Sequence, residues 1–194
     1  MTNKPVALDI QHGGKPGSWS DRGAQAPRDP RDRTRDQDTL PPVATPWALE
    51  FPWELNVTRR YAIACAARLE QLGIPCVLLC DGSYSDRWHR VNTYNPGCYI
   101  ACHVNSGAAG TTDYGRVFHW PGSVTGEALA HRIVLEVLGA YTWLPWAWTA
   151  EAAPSDRVKN TIRGVNAPGL CFEPGFLDGK EGRDWFQDES NLVL

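Results

Sequence analysis

The stretch VALDIQHGG, residues 6–14, contains the strongest structural signal in this chain of 194 residues. A short apolar run ends there in a histidine, and two glycines follow at once. Apolar runs of this length, bounded by glycine, are typical of buried β-strands. In open α/β sheets the sites form at the carboxyl ends of strands, and glycines let the backbone fold closely around a bound group. The stretch therefore predicts a strand that places His12 at a sheet edge.

Two further apolar runs also end in chemically active side chains. The run CYIAC, residues 98–102, is followed by His103, and the run GLCF, residues 169–172, is followed by Glu173 and a Pro-Gly turn. Because the carboxyl ends of parallel strands meet at one edge of a sheet, two imidazoles and a carboxylate are expected to lie together.

The segments between these runs predict helices. From Glu54 to Leu72 apolar residues recur at helical spacing, and Gly73 is a natural stop. A buried strand is predicted over residues 74–80. Further helices are predicted over residues 124–139, around 155–163 and after position 178. This alternation predicts an α/β fold: a single domain over residues 1–194 with a mostly parallel, twisted β-sheet flanked by helices on both faces.

These elements, in this order, resemble the zinc-dependent N-acetylmuramoyl-L-alanine amidases of the amidase-3 family. The family's Asp-x-Gly-His-Gly-Gly strand end is matched by DIQHGG at residues 9–14, except that Gln11 replaces a glycine and must avoid positive φ or bear strain. Its Ser-x-His-x-Asn strand end is similar to ACHVN at 101–105, and its Glu-x-Gly-Phe-Leu segment is similar to EPGFL at 173–177. The resemblance covers about residues 5 to 186.

The resemblance implies a zinc ion (Zn2+) held by His12, Glu54 and His103, with Glu173 as the catalytic residue. Two imidazoles and one carboxylate form a catalytic type of zinc site, in which a fourth position stays open for water. Zinc lowers the pKa of that water, and Glu173 would take its proton and later deliver it to the leaving nitrogen. The implied substrate is peptidoglycan, at the amide that joins N-acetylmuramic acid to L-alanine.

The carboxylate ligand has a second candidate in Glu50. We favour Glu54 because its distance to Gly73 resembles the length of the family's helix, whereas Pro52 would interrupt a helix begun at Glu50. The segment at about 15–53 is longer and richer in proline and charge than the family's connection. It is predicted to be a long loop beside the site, either a lid or a flexible decoration.

Other functions remain open at this point. One is a related zinc peptidase or amidohydrolase that acts on another amide, and another is a non-catalytic cell-wall-binding module. A thiol nucleophile is not expected, because Cys102 and His103 are strand neighbours whose side chains point to opposite faces. The remaining histidines lack a comparable context and are left out of the site: His89, His119 and His131.

Composition narrows the class of protein. Hydrophobic residues at 42% and charged residues at 21% are ordinary for a soluble globular protein. A net charge of -3 gives no basic footprint for nucleic acid. No apolar run approaches the roughly 18 residues of a membrane span, and the start of the chain has no signal-peptide pattern. We therefore expect synthesis in the cytoplasm and action on the cell wall after phage lysis or as part of a phage particle, with the oligomeric state undetermined.

The cysteines and tryptophans each allow a prediction about where their side chains lie. The six cysteines lack the tight Cys-x-x-Cys spacing of structural zinc sites, so they are predicted to be small buried hydrophobes. The cluster Trp143, Trp146 and Trp148 is expected either to pack in the core or a loop, or to present aromatic faces to sugar rings.

Overall fold

The computed structural model describes residues 4–11, 54–79, 84–106, 113–152, 158–177, 179, 182, 185 and 186. The strands are β1 (Val6–Ile10), β2 (Cys76–Leu79), β3 (Cys98–Cys102), β4 (Gly115–His119), β5 (Ala147–Glu151) and β6 (Gly169–Glu173). The helices are α1 (Glu54–Gln71), α2 (Tyr84–Thr93), α3 (Val124–Glu136), α4 (Val158–Ile162) and a short 3-10 turn (Leu138–Ala140).

The strands of this described part form one six-stranded sheet in the order β2-β1-β3-β6-β4-β5. Strands β2, β1, β3 and β6 are parallel, whereas β4 runs antiparallel to β6 and pairs in parallel with β5. The carboxyl ends of β1, β3 and β6 therefore share an edge with the amino ends of β4 and β5. We call this the site edge.

Helices cover both faces of the sheet. On one face α1 packs against Leu8, Ile10 and Cys102, and α3 packs against Val117 and Leu170. On the other face Val91 of α2 and Ile162 of α4 pack with side chains from the alternate strand positions: Ala7, Tyr99, Ala101, Phe118 and Cys171. This alternation follows from the two-residue period of strands. The predicted α/β fold, with a mostly parallel sheet between helices, is confirmed.

The ends of the predicted elements shift for local reasons. Gly73 has a φ of 70° and closes α1, where the backbone N–H of Ile74 bonds back to the carbonyl of Leu69, as in a helix-terminating turn. Strand β2 begins at Cys76 rather than at residue 74, because Pro75 has no N–H for the ladder. Helix α3 ends at Glu136, short of residue 139, since the chain tightens there into the 3-10 turn.

The predictions of a loop at about 15–53 and of Glu50 as an alternative ligand concern residues outside the described ones. The prediction for the cysteines needs one correction. Among the described cysteines, Cys102 and Cys171 are buried as predicted, but Cys65 is exposed. That prediction was wrong for Cys65, because α1 packs through other positions, among them Leu55 and Ala62. No helix within the described ranges has the length and apolar character needed to cross a membrane.

Candidate active site

The end of β1 is fixed by a buried polar network around Asp9. The Asp9 carboxylate accepts hydrogen bonds from the Arg87 guanidinium of α2 at 3.0 Å, from the Tyr99 hydroxyl of β3 at 2.6 Å, and from the Gln11 side-chain amide. Burial raises the pKa of Asp9, and the charge of Arg87 opposes that rise. The network joins β1, β3 and α2 directly before position 12.

Gln11 fits this network without backbone strain. Its side chain is buried and also lies 3.3 Å from the Tyr99 hydroxyl. Among the described non-glycine residues a positive φ occurs at Asn95, so Gln11 avoids the left-handed conformation that would strain it. His12 itself lies outside the described residues.

Glu54 and His103 meet at the site edge. The Glu54 Oε1 atom lies 2.8 Å from the His103 Nδ1 atom and also accepts the backbone N–H of Val104 at 3.3 Å. Tyr61, two turns further along α1, donates its hydroxyl to the His103 carbonyl at 2.8 Å. The start of the described α1 is thus joined to the end of β3 by side-chain and backbone contacts.

Glu173 lies at the end of β6 on the same edge. Its Oε2 atom accepts hydrogen bonds from the Asn105 side-chain amide at 2.7 Å and from the Arg116 guanidinium at 3.2 Å. Burial raises the pKa of the Glu173 carboxyl, while the charges of Arg116 and His103 lower it. A carboxylate with a raised pKa in such a setting is suited to accept and return a proton near neutral pH.

Strand register brings these partners of Glu173 together. Arg116 lies opposite Glu173 in the antiparallel pair of β4 and β6. Past the end of β3, Asn105 forms an isolated bridge with Phe176, so the two chain segments continue side by side. The sequence motifs gave Asn105 no role and missed Arg116, although an arginine directly before Val117 and Phe118 was a usable signal.

The excluded histidines lie elsewhere. His119 is at the opposite edge, because β4 runs against β6. His131 is exposed on α3, with its Nε2 atom 3.9 Å from Glu127. His89 stacks on Trp88 with ring centroids 3.4 Å apart.

Two of the three predicted zinc ligands, Glu54 and His103, lie in the described residues, and their side chains are of types that bind zinc. Imidazole nitrogen and carboxylate oxygen are both zinc donors, and Glu54 and His103 direct one of each to the same edge. No group of three or more metal-binding side chains occurs within the described ranges. The third predicted ligand, His12, belongs to the part outside them.

Solved structures with this fold include N-acetylmuramoyl-L-alanine amidases. The N-acetylmuramoyl-L-alanine amidase AmiC2 of Nostoc punctiforme is 20% identical with a TM-score of 0.70, covering 97% of this chain and 88% of that chain. The N-acetylmuramoyl-L-alanine amidase from Clostridium difficile 630 is 16% identical with a TM-score of 0.69, covering 99% and 90%. The catalytic domain of the CD27L endolysin targeting Clostridia difficile is 15% identical with a TM-score of 0.67, covering 97% and 92%.

Neither a protein-family model nor a curated protein matches the sequence. The likeness in three dimensions extends over nearly the whole chain. This chain therefore has the fold of the N-acetylmuramoyl-L-alanine amidases.

Proposed function

We propose that this chain is a zinc-dependent N-acetylmuramoyl-L-alanine amidase. It would hydrolyse the amide between N-acetylmuramic acid and L-alanine in peptidoglycan, as a phage-type lysin that reaches the wall after release from the cytoplasm or within a phage particle. The proposal rests on one observation: Glu54, His103 and Glu173, from separate elements of an amidase-like fold, share one sheet edge.

In this proposal, one group of residues binds zinc and another residue transfers the proton. His12, Glu54 and His103 would hold zinc, which when bound polarises an amide carbonyl and makes water a better nucleophile. Glu173 accepts the proton from the attacking water and returns it to the leaving nitrogen of L-alanine. Asn105 and Arg116 hold the Oε2 atom of Glu173, and we assign the transfer to its Oε1 atom.

Digestion of purified peptidoglycan tests the proposed bond. Mass spectrometry of the soluble products should find intact stem peptides with a free L-alanine amino group, and glycan strands without new reducing ends. New reducing ends would indicate a glycosidase. New amino groups only deeper in the stem or cross-bridge would indicate a peptidase, and no soluble product from several wall types would indicate a binding module.

The matched control is Glu173→Gln, which is nearly isosteric but cannot accept the proton. It should keep the fold and the zinc content while hydrolysis falls by about 10² to 10⁴, the usual contribution of a general base. Near-normal turnover by the zinc-loaded variant would reject the role of Glu173. Loss of zinc from the variant would show instead that Glu173 is a ligand.

A further inference from the structure

Glu173, Arg116 and Trp148 form one row across three neighbouring strands. Arg116 is paired in register with Glu173 on β6 and with Trp148 on β5. Residues opposite each other in a sheet point to the same face. With adjacent strands about 4.8 Å apart, the backbone of Trp148 lies about 10 Å from that of Glu173 along the site edge.

Beside this row the aromatic rings of Tyr114 and Trp148 form a surface that we call the aromatic shelf. Their ring centroids are 4.7 Å apart, and Phe176 supports Tyr114 edge-on at 4.6 Å. The Arg116 guanidinium lies 5.6 Å from the Tyr114 ring centroid. Contacts with Phe176 and Arg116 therefore hold the Tyr114 ring of the shelf in place.

The shelf is open to solvent. Trp148 is 39% exposed, and Trp146, two residues earlier, is 52% exposed. Large aromatic side chains gain most from burial, so exposed rings beside a site are typical of a surface that binds a ligand. Trp146 and Trp148 are thus exposed rather than packed in the core, and Trp146 lies in a loop.

We propose that the aromatic shelf binds a sugar ring of the glycan strand, an inference that rests on the proposed function. One face of a pyranose presents C–H groups, which pack against the negative face of an aromatic ring, while hydroxyls at the rim form hydrogen bonds. In the proposed substrate the scissile amide is attached through a short lactyl arm to such a ring. A sugar therefore lies within a few bonds of the amide on which Glu173 would act, and the row places the shelf at about that distance from Glu173.

Charge favours the sugar over the charged stem peptide as the occupant. Arg116, a cation beside the shelf, is already paired with the Glu173 carboxylate. The shelf itself consists of uncharged rings. A sugar ring, which is uncharged and has a C–H face and polar edges, matches this surface. The stem peptide would then contact other parts of the site edge.

Binding of a peptide-free glycan tests the shelf separately from catalysis. The probe is a linear tetrasaccharide of N-acetylglucosamine, which carries no charge, and its Kd is measured by isothermal titration calorimetry. Trp148→Ala should weaken binding about tenfold, and Trp148→Phe should retain most of it. Tyr94→Ala is the matched control, since Tyr94 is 46% exposed near the amino end of β3, at the opposite edge, and its loss should leave the Kd unchanged.

If Trp148→Ala does not fold, a second variant, Trp148→Leu, tests the same contact. Trp148→Leu keeps apolar volume against Tyr114 but has no aromatic face, so it should weaken glycan binding while its circular dichroism stays normal. On peptidoglycan, the folded shelf variants should raise KM with a smaller effect on kcat.

The two proposals fail differently. An unchanged Kd in folded Trp148→Ala or Trp148→Leu, or no glycan binding by the unmodified protein, would overturn the shelf even if the protein cleaves the expected amide. Glycan binding that depends on Trp148, with no amide cleavage, would support the shelf as a sugar site and reject the amidase function.

Discussion

At the scale of single residues, the Glu173 carboxyl is subject to opposing influences on its pKa. Burial raises the pKa above the ordinary value of 4.5, and the charge of Arg116 at 3.2 Å is the largest influence that lowers it. Arg116 is itself held over the Phe118 ring, with 4.2 Å between the guanidinium carbon and the ring centroid. The proton affinity of Glu173 is thus set partly by an arginine on the neighbouring strand.

Substitution of Arg116 should therefore move the pH dependence of catalysis. Glu173 must be ionised to accept a proton, so activity is lost as pH falls through its pKa. Arg116→Gln removes a charge that lowers this pKa, so the acidic limb of the kcat/KM profile should shift to higher pH. Arg116→Lys keeps the charge and should shift the limb less. The pH profiles of both variants on peptidoglycan measure the effect, and an acidic limb unmoved in Arg116→Gln would contradict this role.

At the scale of elements, sequence patterns predict best where apolar periodicity alone determines the structure. Strands β1, β3 and β6 and helix α1 follow from such runs and from the stop at Gly73. Strand β4 was not predicted, because Arg116 and His119 interrupt its apolar pattern. Arg116 is accommodated there by the ring of Phe118 on the same strand and by an ion pair with Glu173 of β6, which no local pattern reveals.

The candidate site was predictable to a similar extent. The strand-end motifs identify His103 and Glu173, the family resemblance identifies Glu54, and the structure brings these three side chains to one edge. Helix α2 was missed because it is mostly polar, and with it the contact of Arg87 to Asp9. Such supporting residues are recognised only when elements distant in sequence are seen in contact.

The contact between Arg87 and Asp9 should stabilise the packing of α2 against β1. Arg87→Met leaves the Asp9 carboxylate buried without this cation, so the free energy of unfolding should fall by about 3–5 kcal/mol at neutral pH. Urea denaturation followed by circular dichroism measures the change. The double variant Asp9→Asn, Arg87→Met removes both charges and should recover part of the loss.

The pH dependence of the Arg87→Met variant provides a further check. The pKa of Asp9 in the folded protein is raised above its ordinary value of 3.8. The folded state then binds this proton more tightly than the unfolded state, so the free energy of unfolding falls as pH rises from about 3.8 through the folded pKa. Without Arg87 the folded pKa rises further, and the deficit of the variant should shrink as pH is lowered. A deficit independent of pH would contradict a charge-based role.

At the scale of the whole molecule, the site edge joins parts of the chain that are far apart in sequence. The proposed ligands follow β1, begin the described part of α1 and follow β3, so a bound zinc ion would connect these elements. A ligand that binds only the folded state stabilises it by about 2.7 kcal/mol when present at a hundred times its Kd. Metal content and thermal stability should therefore change together.

Elemental analysis and thermal melting test the zinc set. The unmodified protein should contain about one zinc per chain, and a chelator should lower its Tm. His103→Ala and Glu54→Gln should lose most of the metal and the Tm response to chelator, whereas Glu50→Gln should keep both. Full zinc occupancy in a His12→Ala, His103→Ala double variant would reject the set. Loss of zinc from Glu50→Gln but not from Glu54→Gln would reassign the carboxylate.

The reversed direction of β4 and β5 has a consequence for how such a protein diversifies. His103 follows β3 and Glu173 ends β6, whereas Tyr114 and Trp146 precede β4 and β5. Under the proposed function, exchange of these preceding segments should alter which glycans bind, while the strand ends that hold the proposed reacting groups stay the same. Natural variants or laboratory libraries that differ only in the segments before β4 and β5 should therefore bind different glycans while they keep the same reacting residues.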